Sequence, residues 1–305
     1  MKIVALAGGV GGAKLSDGLA QILLPDDLTI IVNTGDDFEY LGLAISPDLD
    51  TVCYTLAGLA NPETGWGRRE ETFRALENIR MLGGPDWFYI GDKDLGTHIE
   101  RTRRLKEGQS LSQVTMHFCR SWGVQPAVLP MSDQPVRTMV DTQEYGELAF
   151  QEYFVHQHCE PKVKSFRFSG IEQALPAPGT LEAIDSADAV IFCPSNPWVS
   201  IDPILAITGI RSALEAKTVI AISPIIKGQT IKGPAAKMSM ELGIQPSALA
   251  VARHYGDLLS GFVLDLADSD LTRELSIPTL ATNTLMKTAD DRRRLAEDVL
   301  HLIQV

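Results

Sequence analysis

Short clusters of glycine, acidic and small polar residues recur along the chain, each directly after an apolar run that is typical of a β-strand. In an open parallel sheet, ligands bind beyond the carboxyl ends of the strands, so these clusters are the first candidates for chemistry. In chain order they are residues 8–14, 33–37, 91–98, 131–133, 194–197 and 223–228. Their residue types favour the binding of a phosphate group together with a cation.

Glycines dominate the first cluster, GGVGGAK, which begins at Gly8 and ends at Lys14. Glycines let backbone N–H groups approach an anion closely, and the helix that follows adds the positive end of its dipole. The cluster is not a dinucleotide fingerprint, because Lys14 stands where the third glycine counted from Gly9 would be, and it lacks the GK[ST] ending of a P-loop. A tight turn between strand and helix would also explain the glycines, whereas the lysine beside them favours a phosphate site.

Four aspartates lie on two loops that we expect at one edge of the sheet. Asp36 and Asp37 follow the second strand, and Asp48 and Asp50 belong to the segment SPDLDT. Adjacent carboxylates repel each other unless a cation or hydrogen-bond donors compensate. Carboxylates are ligands for hard cations, and Mg²⁺ is the natural choice beside a phosphate. Asp48 or Asp50 could instead cap the helix that begins there.

The other clusters support more than one interpretation. Lys93 lies between two aspartates, either in a solvated turn or in a binding loop, and His98 is either a ligand contact or a structural histidine. Ser195, Asn196 and Ser223 could touch a ribose, a base or a phosphate, although turns favour the same residue types. The sequence has no GxSxG elbow and no HExxH motif, so covalent catalysis is not favoured.

Apolar runs alternate with helical patterns, which predicts an α/β fold: a Rossmann-like parallel sheet with helices on both faces. Strands are predicted at residues 2–7, 28–33, 87–90, 127–129, 189–192, 218–222 and 262–265, and helices at 14–24 and 289–302. A mostly helical insertion is predicted at about 51–125, with helices at 51–59, 70–82, 95–106 and 110–122. A smaller irregular insertion follows at about 134–175, with strands at 137–141 and 163–168. Because no Pro/Ser-rich linker separates these stretches, we expect one domain over residues 1–305.

Composition and charge exclude several classes of protein. A chain of 305 residues with 45% hydrophobic residues can bury a core without disulfides. Its formal charge of −12 repels phosphate backbones and argues against nucleic-acid binding, but a cation could bridge it to a small anion. No apolar run approaches the roughly 20 residues of a membrane span, and the first residues resemble a strand and loop rather than a signal peptide. The four cysteines form no CxxC pair, which fits reduced thiols in the cytoplasm.

Taken in order, the motifs resemble those of the 2-phospho-L-lactate transferase family of coenzyme F-420 biosynthesis. They are GGVGGAK, VNTGDD, SPDLDTV, GWGRREETF, PDWFYIGDKDLGTH, LPMSD, PSNP, SPIIKG and GPAAK, and they extend from Lys2 to at least Lys237. The combination of SPDLDT with GDKDLGTH is specific. GGVGGAK and PDWF resemble the bacterial branch of the family.

This resemblance implies a transferase with two small-molecule substrates. The acceptor is the deazaflavin 7,8-didemethyl-8-hydroxy-5-deazariboflavin, called Fo. The donor is a guanosine diphosphate whose terminal phosphate is esterified to a three-carbon acid. The ribityl hydroxyl of Fo attacks that phosphate, GMP leaves, and (dehydro) coenzyme F-420-0 is formed. The resemblance also implies Mg²⁺, a Rossmann-like core and a homodimer.

The resemblance leaves the three-carbon acid open between phospholactyl, phosphoenolpyruvyl and 3-phosphoglyceryl donors. The bacterial character of the motifs favours one of the first two.

The resemblance also assigns site residues. Asp50 matches the family's acidic Fo-binding position and Lys93 its basic one, and His98 is placed beside them. Relatives often have arginine where this chain has Lys93, so the charge is kept but the planar fork is lost. Asp36 and Asp37 fall where the family has acids near the metal, and Asp50 completes the expected ligand set. Asp50 is expected to orient the ribityl hydroxyl and accept its proton, with Asp36 as the second catalytic acid. The residues expected to hold the guanosine diphosphate are Gly9, Gly11, Gly12, Lys14, Thr34, Ser195, Asn196 and Ser223.

Two other functions fit part of this pattern. A related family with the same core includes non-enzymatic regulators that bind a nucleotide sugar, and the SPDLDT and GDKDLGTH loops separate the two families. An NAD-dependent dehydrogenase is disfavoured by the missing third glycine and by the missing ribose-binding acid after the second strand.

Overall fold

The computed structural model describes residues 1–304. Within these residues the strands are β1 (Ile3–Ala7), β2 (Leu28–Val32), β3 (Phe38–Tyr40), β4 (Leu43–Ile45), β5 (Ala127–Pro130), β6 (Arg137–Thr142), β7 (Gly146–Ala149), β8 (Val163–Ser169), β9 (Ala189–Phe192), β10 (Thr218–Ile222), β11 (Ile225–Ile226), β12 (Gln229–Thr230), β13 (Gly261–Asp265) and β14 (Thr279–Thr282). The α-helices are α1 (Gly9–Ala20), α2 (Pro47–Leu56), α3 (Arg74–Met81), α4 (Asp92–Lys106), α5 (Leu111–Ser121), α6 (Thr180–Ser186), α7 (Asp202–Ala206), α8 (Ile210–Leu214), α9 (Ala235–Glu241), α10 (Ala248–Tyr255) and α11 (Ala289–Gln304).

Seven strands form one sheet in the order β14-β13-β10-β9-β1-β2-β5, and every neighbouring pair is parallel. This confirms the predicted α/β fold. From β1 the chain builds outward first to β2 and later, on the other side, to β9. The strand order therefore reverses between β1 and β9, and the crevice beyond their carboxyl ends is where a ligand is expected to bind.

The central strands are apolar throughout because both faces of the sheet are covered. On β1, Ile3 and Ala5 pack into a core with Leu15 of α1 and Leu295 of α11. Val4, from the opposite face of the same strand, packs into the core that includes α7, α8 and α10. The alternation of side chains along a strand thus supplies two separate cores.

Three helices begin earlier than the sequence predicts, and one predicted strand is absent. Helix α1 begins at Gly9 instead of residue 14, α2 at Pro47 instead of residue 51, and α4 at Asp92 instead of residue 95. The glycine cluster is therefore the first turn of a helix. Residues 87–90 form a loop instead, in which Trp87 and Phe88 are half-buried, Tyr89 is exposed, and Trp87 packs edge-on against Tyr40 at 5.1 Å between ring centroids.

The two stretches predicted as insertions differ in structure. Helices α2 to α5 lie between residues 47 and 121, and β7-β6-β8 form a separate antiparallel sheet between residues 137 and 169. The strands predicted at 137–141 and 163–168 are confirmed. Among residues 1–304, no helix has the length and apolar character needed to span a membrane.

Candidate active site

A cavity of about 600 Å³ opens beyond the carboxyl ends of β1, β2, β9 and β10. Its wall includes Gly9 and Gly11 after β1, Asp36 after β2, and Ser195 and Asn196 after β9. Residues from α2 and α4 complete one side. The cavity thus lies at the crevice that the strand order predicts.

Glycines bring the first turn of α1 against the turn that follows β9. A Cβ on Gly11 would lie 2.2 Å from the carbonyl oxygen of Pro194, so a side chain at this position has no space. The Ser195 hydroxyl joins the same two segments, because it donates to the carbonyl of Gly8 (2.7 Å) and accepts from its N–H (3.0 Å). Gly9 has a φ of +60°, which suits a residue without a side chain at the start of the helix. The N-terminus of α1 therefore faces the cavity at close range.

Asn33 holds two carboxylates together at the cavity wall. Its amide nitrogen donates to Asp36 Oδ1 (2.8 Å) and to Asp48 Oδ2 (2.9 Å), and the N–H of Gly9 donates to Asp48 Oδ1 (2.7 Å). Burial raises the pKa of Asp48 to about 6. Burial, together with the nearby charge of Asp48, raises the pKa of Asp36 well above its usual range. Asp48 thus binds the start of α1 and does not cap its own helix, for which no side-chain capping bond is present among the described residues.

Asp50 is paired with a buried arginine. Both carboxylate oxygens accept hydrogen bonds from Arg101, one of them at 3.1 Å from Nη1. The guanidinium also lies 5.8 Å from the ring centroid of Phe118, and Arg101 is 3% exposed. Burial raises the pKa of Asp50, and the charge of Arg101 acts in the opposite direction. Arg101 therefore fixes the position of the Asp50 carboxylate and compensates its charge.

His98 links this pair to another carboxylate. Arg101 Nη1 lies 3.2 Å from His98 Nδ1, and because a guanidinium can only donate, Nδ1 accepts and the ring proton is on Nε2. Nε2 lies 3.5 Å from Asp94 Oδ2, and Asp94 Oδ1 accepts from the hydroxyl of Tyr54 (2.6 Å). Burial acts to raise the pKa of Asp94, but the neighbouring His98 and the hydrogen bond from Tyr54 outweigh it and lower that pKa.

Ligand atoms of Asp50, Asp94 and His98 lie within 4.8 Å of one another, close enough for a metal ion. A metal on His98 Nε2 would require that nitrogen to lose its proton while Nδ1 still accepts from Arg101, which leaves the ring as an imidazolate. The arrangement therefore suits a hydrogen-bonded network better than a metal centre.

Comparison with known proteins decides the family. A family model described as 2-phospho-L-lactate transferase CofD matches residues 3–299. The chain belongs to the 2-phospho-L-lactate transferase family. It is 45% identical over 314 residues to the phosphoenolpyruvate transferase of Streptomyces griseus, covering 100% of this chain and 99% of the relative. It is 38% identical over 303 residues to the 2-phospho-L-lactate transferase of Methanosarcina acetivorans, covering 98% of each chain.

A solved structure shows the same fold. The crystal structure of a UPF0052 family member from Bacillus halodurans matches with a TM-score of 0.66 and covers 98% of each chain. Its sequence identity to this chain is 16%, so the likeness concerns the fold alone.

The structure brings about half of the predicted CofD-type site together. Cavity-lining positions are Gly9, Gly11, Asp36, Asp50, His98, Ser195 and Asn196. Predicted positions outside the cavity are Gly12, Lys14, Thr34, Asp37, Lys93 and Ser223. The two groups share the same sequence motifs, so proximity in sequence did not decide which residues face the ligand space.

Both lysines expected to bind substrate point elsewhere. Lys14 Nζ donates to the carbonyl of Met286 (2.7 Å), because α1 begins at Gly9 and Lys14 lies beyond its first turn. Lys93 Nζ donates to the carbonyl of Arg69 (3.1 Å) and lies 3.6 Å from Glu70, on an exposed part of α4.

Local contacts explain why the other predicted residues do not line the cavity. Asp37 accepts from the hydroxyl of Ser46 (2.7 Å) and lines a second cavity of about 160 Å³, which also contains Thr34. Burial raises the pKa of Asp37 to about 7. Ser223 donates to the carbonyl of Ile225 (2.9 Å) within its own turn. Gly12 is buried behind the cavity, where a Cβ would lie 2.7 Å from the hydroxyl oxygen of Ser195.

Sequence reasoning missed Arg101, Asp94 and Tyr54 as parts of the site. Asp94, His98 and Arg101 are spaced four and three residues apart, so they lie on one face of α4. That spacing was the available signal for a connected network.

Proposed function

We propose that this protein transfers a 2-phospholactyl or phosphoenolpyruvyl group from its guanosine diphosphate donor to the ribityl hydroxyl of Fo. The reaction releases GMP and forms (dehydro) coenzyme F-420-0. The observation that carries the proposal is the cavity between β1 and β9, which in a chain of this family combines a helix N-terminus with ordered carboxylates. The names of the bacterial relatives favour phosphoenolpyruvyl as the transferred group.

The donor diphosphate is best placed at the N-terminus of α1. This helix has 12 residues, and its first N–H groups carry the positive end of the dipole. Gly9 and Gly11 leave the backbone open to the cavity, while Ser195 fixes the neighbouring turn. Asn196 lines the same wall and is a candidate for contact with the nucleoside.

Asp36 and Asp48 fit a divalent cation better than the predicted set of Asp36, Asp37 and Asp50. Among residues 1–304, neither Asp36 nor Asp48 forms an ion pair with a lysine or arginine, and both are buried beside each other. Asp37 lines the other cavity, and Asp50 is already neutralised by Arg101. Mg²⁺ bound here would offset the charge of the diphosphate and of the departing GMP. Asn33 would keep the two carboxylates oriented toward it.

Asp50 is the proposed partner of the acceptor hydroxyl. Arg101 fixes its carboxylate, which can accept a hydrogen bond from the ribityl hydroxyl and then its proton as the new O–P bond forms. The bond between that phosphorus and the oxygen of GMP breaks in the same transfer. Aromatic side chains suited to a flat ring line the cavity nearby, namely Trp66, Phe88, Tyr89 and Phe154. Most of the rate enhancement is expected from positioning.

The test is to incubate the protein with Fo, Mg²⁺ and each of the three donors, and to measure the mass of the product. Asp50→Asn should lose most turnover and still bind guanosine diphosphate. Asp141→Asn, a change at a half-exposed position on β6, serves as the control. Near-normal turnover of Asp50→Asn would remove Asp50 from catalysis, and undiminished turnover in excess chelator would refute the need for Mg²⁺. Absence of product with every donor would favour the nucleotide-sugar regulator.

We also propose that the protein acts in the cytoplasm, as its unpaired cysteines suggest, and that it is a homodimer, as the resemblance implies. Analytical ultracentrifugation tests the second statement, because a monomer has a mass of 33.2 kDa. Sedimentation at that mass at working concentration would contradict it.

A further inference from the structure

The charge of the cavity is unbalanced. Asp36, Asp48, Asp50 and Asp94 line it, and Lys232 is the single lysine or arginine among residues 1–304 that does so. A nucleoside diphosphate donor would add further negative charge to this space. Because the two lysines predicted from sequence are bound elsewhere, Lys232 is the cationic side chain available to that donor.

Lys232 lies on the segment between β12 and α9, which faces a loop from the other side of the cavity. Its Nζ donates to the carbonyl of Thr64, and the hydroxyl of Thr230 closes the local turn by donating to the carbonyl of Gly233 (2.8 Å). A Cβ built on Gly65 would lie 3.5 Å from Lys232 Nζ and 2.6 Å from a methyl carbon of Val10. Gly65 therefore lies between the Lys232 ammonium and the side chain of Val10, which belongs to the first turn of α1, and both Val10 and Lys232 line the cavity.

Among the residues that the structure describes, the ammonium of Lys232 is not paired with a carboxylate, unlike those of two neighbouring lysines. Lys237 Nζ is paired with Glu241 at 2.6 Å, and Lys227 Nζ lies 3.9 Å from Asp270. Within residues 1–304, Lys232 has no carboxylate partner within 4 Å, and its contact to Thr64 is to a neutral carbonyl oxygen. An ammonium group has three N–H donors, so two remain for a ligand while the contact to Thr64 persists.

We propose that Lys232 binds the diphosphate of the nucleotide donor, opposite the cavity's carboxylates and beside the N-terminus of α1. This inference rests on the proposed function and adds a binding residue to it. The diphosphate is favoured over the carboxylate of the three-carbon acid, because Lys232 and the first turn of α1 border the same part of the cavity. Because Lys232 also donates to Thr64, the donor would bind between the loop that contains Thr64 and the segment that contains Lys232.

Isothermal titration calorimetry with guanosine diphosphate and with guanosine tests this assignment. Lys232→Met should weaken the binding of guanosine diphosphate by about 10- to 100-fold, the effect of losing one charge-assisted hydrogen bond. Binding of guanosine, which has no phosphate, should not change. Lys232→Arg should retain most of the affinity. Lys227→Met is the matched control, because Lys227 lies in the turn between β11 and β12, five residues before Lys232, is exposed and does not line the cavity.

Any of the following results would overturn the inference. Lys232→Met could bind guanosine diphosphate as tightly as Lys227→Met does, or the parent protein could fail to bind it. Lys232→Met could also lose affinity for guanosine in equal measure, which would place the contact away from the phosphates. Unchanged affinity for guanosine diphosphate with a raised KM for the complete donor would assign Lys232 to the three-carbon acid instead. If binding depends on Lys232 but no donor gives a product with Fo, the proposed function fails, while the assignment of Lys232 to the phosphates of a guanosine nucleotide stands.

Discussion

Replacing Arg101 by methionine tests how much the guanidinium charge beside Asp50 contributes to stability. Methionine keeps a long apolar stem but removes the guanidinium, which binds both oxygens of Asp50 and lies over Phe118. Hydrogen bonds between charged groups contribute about 1.5–3 kcal/mol each, and a desolvated cation–π contact about 2 kcal/mol. Because these terms overlap, we expect Arg101→Met to lower the free energy of unfolding by about 3–5 kcal/mol, the usual effect of breaking a buried ion pair.

The size of this loss depends on pH in a defined direction. Without Arg101, burial raises the pKa of Asp50 further, because the opposing charge is gone. An acid whose pKa is higher in the folded state binds a proton there that the unfolded chain releases, so stability falls as pH rises above about 4. The deficit of Arg101→Met relative to the parent protein should therefore grow between pH 5 and pH 8.

Urea unfolding at both pH values measures these effects, with Arg101→Met/Asp50→Asn as the matched variant. The double variant has no Asp50 carboxylate left to compensate, so it should recover about 2 kcal/mol or more, and its difference in stability from Asp50→Asn should change little with pH. Equal stability of the single and double variants at pH 8 would refute the argument that Arg101 acts by compensating Asp50.

Two further predictions follow from packing and burial. Gly11→Ala should lower the free energy of unfolding by about 1–3 kcal/mol, because its Cβ would lie 2.2 Å from the Pro194 carbonyl oxygen, and it should weaken nucleotide binding. Gly96→Ala, on α4 with no atom within 4 Å of the new Cβ, should instead stabilise by about 0.5–1 kcal/mol; equal thermal midpoints for the two variants would contradict the close approach. Burial raises the pKa of Cys159 to about 11 and that of Cys193 to about 12, so both should be almost entirely protonated thiols at pH 8. Ellman's reagent should therefore label them at least about 100-fold more slowly in the native protein than in urea, and rapid native labelling would be the contrary result.

The position of the cavity could be predicted from sequence because parallel strands end at one edge of a sheet. The residues directly after β1, β2 and β9 include Gly9, Asp36 and Ser195, and all three line the cavity. The start of α1 could not be predicted in the same way. Glycine disfavours helices, so GGVGG suggests a loop, but the contact of Gly11 with Pro194 requires the helix to begin there without side chains.

The sequence of α4 does not reveal that Arg101 is the partner of Asp50. Helix α4 contains three arginines among many charged residues, and Arg103 and Arg104 form ion pairs nearer the surface while Arg101 is buried. Local sequence does not distinguish them, because burial of Arg101 depends on Phe118 and on a carboxylate 51 residues earlier in the chain. Lys232 was missed for a similar reason: its contact with Thr64 joins segments 168 residues apart.

The first turn of helix α1 borders the cavity, and the rest of this helix packs against residues near the C-terminal end of the chain. Lys14 contacts the carbonyl of Met286 across 272 residues, and a Cβ on Gly18 would lie 2.1 Å from the carbonyl oxygen of Arg292. During synthesis, β1 and α1 emerge before any of these contacts can form, and such distant closures are slow. The segment that carries the glycine turn is thus among the earliest made and among the last to be locked in place. Until α11 docks, the face of α1 that packs against α11 is uncovered, so this face of a nascent chain would stay open to chaperones or aggregation.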